Sequence, residues 1–356
     1  MFGFQQCCDA DIYTELGKLC SSNWDSCWHE YRPVGSIVLN ALMPYGLASF
    51  NHMLLLFFSL YLIVSESGFE FGRKYSKSLT SALMLKAIGA FVLLEILFVG
   101  LASVNLTDVS AGIFAAFAIL GFARKNAYLL ALAGGLSVLI RAAYLYPMLI
   151  LVIFFLVECL YEKRREGLYA GLFFACIAPQ FLLTYQHTGI FAFFDPSSVK
   201  YWQDFHLSRS WYGYDTLLPP APYPWQSSRL DLVTAYRQQQ WGDIVHLLVA
   251  RMEFYFSSFV LWGKVYLTSP SERIFSPLVF IGYLVMVALS ILYLVRRGVS
   301  WRILLPLSLI LAQSLLIIPE QRFVFVIQLF AAMFTYLYFV GSRGQRTAHM
   351  IKSGEI

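Results

Sequence analysis

Charge is what this sequence has least of. Aspartate, glutamate, lysine and arginine together make up 13% of 356 residues, against 58% hydrophobic. Globular domains carry about twice that charge, so the composition excludes a soluble domain of this length. No basic run is left over to serve as a nucleic-acid footprint. The net charge of +5 comes from lysines and arginines in short stretches between apolar segments, where charge sets membrane orientation instead. The stretch from Met1 to Asp9 has neither a basic start nor an apolar centre, so it does not read as a cleavable signal peptide. No internal repeat of the kind that builds transporters is visible. The six cysteines fit no usual zinc-ligand spacing.

What is abundant is apolar and aromatic: Phe 31, Tyr 22 and Trp 8, a load suited to membrane interfaces. The fold class is all-α, a polytopic integral membrane helical bundle. Apolar runs cover residues 47–64, 81–104, 109–122, 128–140, 145–160, 168–185, 277–295, 303–318 and 323–340, which makes about nine spans. The runs 109–122 and 128–140 are short for a ~30 Å hydrocarbon core, so they are expected to tilt less than usual or to be shielded by protein. Basic clusters stand at Arg73, Lys74 and Lys77, at Arg124 and Lys125, at Lys163 to Arg165, at Arg296 to Arg302, and at Arg343 and Arg346. They fall on alternate loops, hence all on the cytoplasmic side, only if the segment 244–267 does not cross. That segment carries Arg251, Glu253 and Lys264 and reads as an interfacial helix. The chain divides accordingly into an outer-face acidic loop (1–34), N-terminal transmembrane helices (35–185), an outer-face loop with the interfacial helix (186–268), and C-terminal transmembrane helices with a cytoplasmic tail (269–356).

This topology collects the remaining charges on the outer face: Asp9, Asp11, Asp108, Arg141, Glu320, Arg322 and the long loop 186–243. Asp9 and Asp11 stand two apart. A carboxylate at the surface can act as a general base, and two neighbours can divide that labour or hold a divalent metal; a solvated acidic loop is the plainer alternative. Arg32, Arg141 and Arg322 can bind a phosphate, or snorkel to headgroups. Asp108 begins a span, where a helix cap and a functional role weigh equally. Glu95 lies inside a span, which marks it as a site candidate or as a neutral partner of another helix. In the 186–243 loop, Tyr201, Trp202 and His206 could stack on and hydrogen-bond a sugar, or form an interfacial belt. Cys7, Cys8, Cys20 and Cys27 could make one or two disulfides in an oxidising compartment, with three connectivities for two bridges.

The order of these elements resembles a known family. Asp9-Ala10-Asp11-Ile12-Tyr13 is similar to the acidic motif in the first outer loop of GT-C glycosyltransferases, particularly their aminoarabinose and protein O-mannosyl branches. Arg32-Pro33-Val34-Gly35 resembles the basic residue and proline at the next helix start. Leu106-Thr107-Asp108-Val109 resembles the second outer-loop aspartate. The run from Gly134 to Arg141 resembles the glycine-rich span ending in arginine, and Pro319-Glu320-Gln321-Arg322-Phe323 the late proline–arginine element, with Phe in place of Tyr.

The resemblance implies a membrane glycosyltransferase. It would move a sugar from a polyprenyl-phosphate carrier to a cell-envelope glycan, lipid or protein acceptor, with lipopolysaccharide among them. One inverting displacement is implied. Asp9 would be the general base, with Asp11 or Asp108 orienting or sharing that role. Arg32, Arg141 and Arg322 would hold the donor phosphate, and Tyr13, Tyr201, Trp202 and His206 would contact substrate. No cofactor is implied; a divalent metal stays open. A bacterial inner membrane with a periplasmic site is the expected location, and a further span before the acidic segment is expected. An O-antigen polymerase or ligase type, or a polytopic transporter or flippase of lipid-linked sugars, are the other classes the sequence allows.

Overall fold

The computed structural model describes residues 8–30, 32–43, 46–66, 77–102, 107–196, positions 239, 241–242, 244–245 and 248–249, and residues 270–297, 301–316 and 324–353. Among these the regular structure is helical. In chain order the helices are α1 (Cys8–Ser22), α2 (Val34–Leu42), α3 (Leu47–Glu66), α4 (Lys77–Ala102), α5 (Asp108–Ala123), α6 (Ala127–Ile140), α7 (Leu145–Tyr161), α8 (Ala170–Thr188), α9 (Pro270–Arg297), α10 (Trp301–Leu316) and α11 (Phe325–Ser353). Short 3-10 turns at Trp24–Cys27, Ala142–Tyr144 and Arg165–Tyr169 link α1 to α2, α6 to α7 and α7 to α8.

Over its described residues, each of the nine apolar runs of the sequence falls on a helix. Among the described residues, four segments suffice by length and composition to cross a membrane: Leu47–Ser65, Ser81–Phe98, Ala142–Tyr161 and Arg165–Thr188. The apolar helices Asp108–Ala123 and Ala127–Ile140 are shorter. The first 34 residues, expected as a loop, are largely helical where they are described. Their described part is α1, the turn Trp24–Cys27 and the start of α2. The segment 244–267 lies almost wholly outside the described residues.

The two short runs show how a short helix fits. α5 is buried nearly all round, from Asp108 to Phe122. It is sheathed by α6, α3, α10 and α11, so its ends meet protein and need not reach both surfaces. Its composition suits that place: five alanines and two glycines in the sequence DVSAGIFAAFAILGFA let neighbouring backbones come close. A Cβ on Gly121 would fall 2.6 Å from the Leu130 backbone nitrogen in α6, so the hairpin requires glycine there. Asn126 starts α6 by accepting a hydrogen bond from Leu129 N–H through its side chain at 3.0 Å, the usual work of an N-cap.

The α5–α6 hairpin has chemically different ends. At the turn, Lys125 pairs with Glu158 at 2.7 Å and Glu162 at 3.1 Å. Arg164 pairs with Glu162 at 3.0 Å. Arg302 from α10 contacts Glu158 and donates to the Phe122 carbonyl at 3.2 Å. Arg124 donates to Ser65 Oγ and lies 5.0 Å over the Tyr61 ring. These bonds raise the Lys125 amine and hold the Glu162 carboxyl down. Every basic residue here belongs to a cluster read from the sequence as cytoplasmic. The opposite, open end of the hairpin carries Asp108 and Arg141.

Candidate functional site

The site is built from the open end of the α5–α6 hairpin. Asp108 is the first residue of α5 and Arg141 follows the last residue of α6, so two antiparallel helices joined by a tight turn bring the two together. Arg141 Nη1 lies 2.8 Å from Asp108 Oδ1, and the Asp108 side chain is only 1% exposed. Arg141 therefore turns into the protein instead of snorkelling outward. Asp108 is not the helix cap that its position suggested. Thr107 holds that place without making a side-chain capping bond. Asp108 sits in the first turn, where a carboxylate is favoured by the helix dipole.

Around this pair the polar groups are buried and come from several helices. Ser110 donates to Asn51 Oδ1 at 2.5 Å, and Asn51 donates to the Ala102 carbonyl at 3.2 Å; both residues are fully buried. Tyr144, in the 3-10 turn after Arg141, is 3% exposed and feels the charges of Arg141 and Asp108. Gln313 of α10 donates to the Ala143 carbonyl behind that turn. Phe325 at the start of α11 packs against Gly112, where an added Cβ would stand 2.5 Å from the ring and 3.2 Å from the Tyr144 hydroxyl. The site thus draws on α3, α5, α6, α10 and α11, with Phe325 only three residues after Arg322.

The N-terminal segment docks on the same end. Gly35 in α2 meets Leu139 of α6 so closely that a Cβ would lie 2.5 Å from the Leu139 carbonyl oxygen. That contact sets Arg32-Pro33-Val34 beside the end of α6, two residues from Arg141. Gln180 of α8, 1% exposed, fixes the approach. Its Oε1 accepts from Val34 N–H at 2.6 Å, and its Nε2 donates to the Phe193 carbonyl at 2.8 Å. Trp28 stacks on His187 with centroids 4.5 Å apart, Gln186 donates to Asp25 at 3.1 Å, and Asp195 N–H donates to the Glu30 carbonyl. A disulfide joins Cys20 to Cys27, the pairing the sequence left open, and ties α1 to the turn that follows. Burial, and then the nearby Arg32 guanidinium, hold the His29 imidazole below its ordinary pKa.

The structure brings some expected residues together and leaves others outside. Arg32 lies 4.6 Å over the Tyr13 ring, and Tyr13 is 5% exposed. The ring expected to contact substrate instead supports the guanidinium through one face. Asp9 and Asp11 lie in the first turns of α1, and their side chains are outside the described residues. So are Tyr201, Trp202, His206 and Arg322 in full. Among the described residues, no three histidine, cysteine, aspartate or glutamate side chains converge as metal ligands. Glu95 is bonded to His52 of α3, with Nδ1 2.7 Å and 2.9 Å from its two oxygens, which favours the partner-helix reading of this residue. Asn51, Ser110, Tyr144 and Gln180 were not picked out from the sequence. Their signal was available for two of them: Asn51 and Gln180 are amides inside otherwise apolar runs, where a polar group needs a partner.

No family model matches the chain, and neither the curated proteins nor the solved structures give a match.

Proposed function

We propose that the chain is a polytopic membrane glycosyltransferase of GT-C type, with about nine spans. It would take a sugar from a polyprenyl-phosphate carrier on the outer face of a bacterial inner membrane and pass it to a cell-envelope acceptor. The observation that carries this reading is the buried Asp108–Arg141 pair at the end of the bundle opposite the basic clusters. Two features support the orientation. The basic clusters favour the cytoplasmic side, and the Cys20–Cys27 bond suits an oxidising compartment.

In this reading each group has a separable task. The donor leaves as a lipid phosphate, and its developing negative charge is met by the Arg141 and Arg32 guanidiniums. Asp108 is engaged by Arg141, so its task is to aim that guanidinium. The proton of the acceptor nucleophile goes to a carboxylate of the acidic stretch, Asp9 by the order of elements, while the acceptor oxygen or nitrogen bonds to the anomeric carbon and the carrier phosphate departs. Tyr13 positions Arg32 by lying under it.

The test is sugar transfer in membranes supplied with a lipid-linked donor. Asp9→Asn is expected to lower transfer about 10²–10⁴-fold with the protein level unchanged. Near wild-type transfer by Asp9→Asn would show that the base is elsewhere. Saturable flux of the lipid-linked sugar with no transfer would favour the transporter class.

A further inference from the structure

Away from the site, His52 and Glu95 are bonded to each other at membrane depth. His52 is about 8 Å below the start of α3, and Glu95 about 10 Å below the end of α4, at 1.5 Å per residue. α3 begins and α4 ends at the side where Asn51 donates to the Ala102 carbonyl, so the two measures refer to the same end of the bundle. The pair is not sealed in protein: the side chains are 29% and 22% exposed. Ionisable groups in contact with hydrocarbon are costly, and neither side chain is long enough to reach far outward.

The surface leading inward from the pair is apolar. On α4, Val92 and Ile88 stand three and seven residues before Glu95, and on α3 Leu56 stands four after His52. All three are exposed, at 47%, 48% and 38%. At those spacings they share the faces that carry the pair. A polar contact above an apolar strip fits an amphipathic molecule with its head at the pair and its chain against the strip.

We infer that His52 and Glu95 bind the headgroup of a zwitterionic aminophospholipid, with the phosphate against the His52 ring and the primary ammonium against the Glu95 carboxylate. Charge complementarity selects this occupant. An anionic headgroup meets a carboxylate that repels it, and a quaternary ammonium has no N–H to donate to Glu95. An acyl chain then covers Leu56, Val92 and Ile88. The inference is independent of the glycosyltransferase reading.

Native mass spectrometry of the delipidated full-length protein tests it, with dioleoyl-phosphatidylethanolamine, -phosphatidylcholine and -phosphatidylglycerol as probes. Phosphatidylethanolamine is expected to bind about 10-fold more tightly than phosphatidylcholine, and Glu95→Gln to remove that preference. Equal binding of the three lipids, or tightest binding of phosphatidylglycerol, would overturn the assignment. So would an unchanged preference in Glu95→Gln. If Glu95→Gln does not fold, Val92→Trp serves as a second variant. It fills the strip while leaving the pair in place, and is expected to weaken binding of phosphatidylethanolamine. Unchanged binding in that variant would equally overturn the assignment.

Discussion

Asp108 and Arg141 belong to different helices and share one buried contact, so each depends on the other. Removing one partner strands the other charge, a loss of about 3–5 kcal/mol for buried pairs. Asp108→Asn and Arg141→Gln should each lower thermal stability clearly, and the double variant should recover much of it. If transfer stays lost in the recovered double variant, the pair serves chemistry as well as structure. If the double variant regains transfer, the pair is structural only. His29 gives a second prediction at this scale. Its folded pKa is depressed by burial and by Arg32, so the unfolded segment takes up a proton more readily than the folded one. Stability is full above the ordinary histidine pKa of about 6.5 and falls as pH drops below it. Backbone amides in α1 should therefore lose protection, measured against their intrinsic exchange rates, as pH falls, and His29→Gln should blunt the effect.

The contact between α2 and α6 decides where Arg32 stands. Gly35 faces the Leu139 backbone, and a carbonyl oxygen 2.5 Å from a new Cβ cannot rotate away as a side chain could. Gly35→Ala should push α2 off α6 at a cost of about 1–3 kcal/mol, read as a lower melting temperature and weaker donor binding. The disulfide acts on the neighbouring element. Closing the short loop between Cys20 and Cys27 contributes about 2–3 kcal/mol in the chain-entropy description. Cys20→Ser should loosen α1 and expose the Cys27 thiol to labelling, without unfolding the bundle, whose main core is separate from the cluster around Cys20 and Cys27.

The whole molecule sorts its charges by end. The turn of the α5–α6 hairpin gathers Lys125, Glu158, Glu162, Arg164 and Arg302, and the open end holds Asp108 and Arg141. With the proposed orientation, a cysteine at Asn23 should react with an impermeant thiol reagent in intact cells, and one at Lys163 only after the membrane is opened. The reverse pattern would invert the topology and place the proposed site on the wrong side for its donor.

The sequence by itself marked the apolar helices, though not α1 and α2. An apolar run in a bilayer must satisfy its backbone polar groups internally, so all nine runs 47–64 through 323–340 could be read without knowing their neighbours. It also marked Asp108, Arg141 and Arg32 as charges in need of an explanation. Only the tertiary structure decided which groups meet. The partner that Glu95 meets, His52, lies more than 40 positions away. Whether Tyr13 was open to substrate depended on Arg32, and Gln180 became a hub only when α2 and the Phe193 carbonyl arrived on either side of it. Hydrophobic patterning records how far a residue is from water. It does not record the partner, because a buried polar group can be satisfied by any donor or acceptor that packing brings within reach.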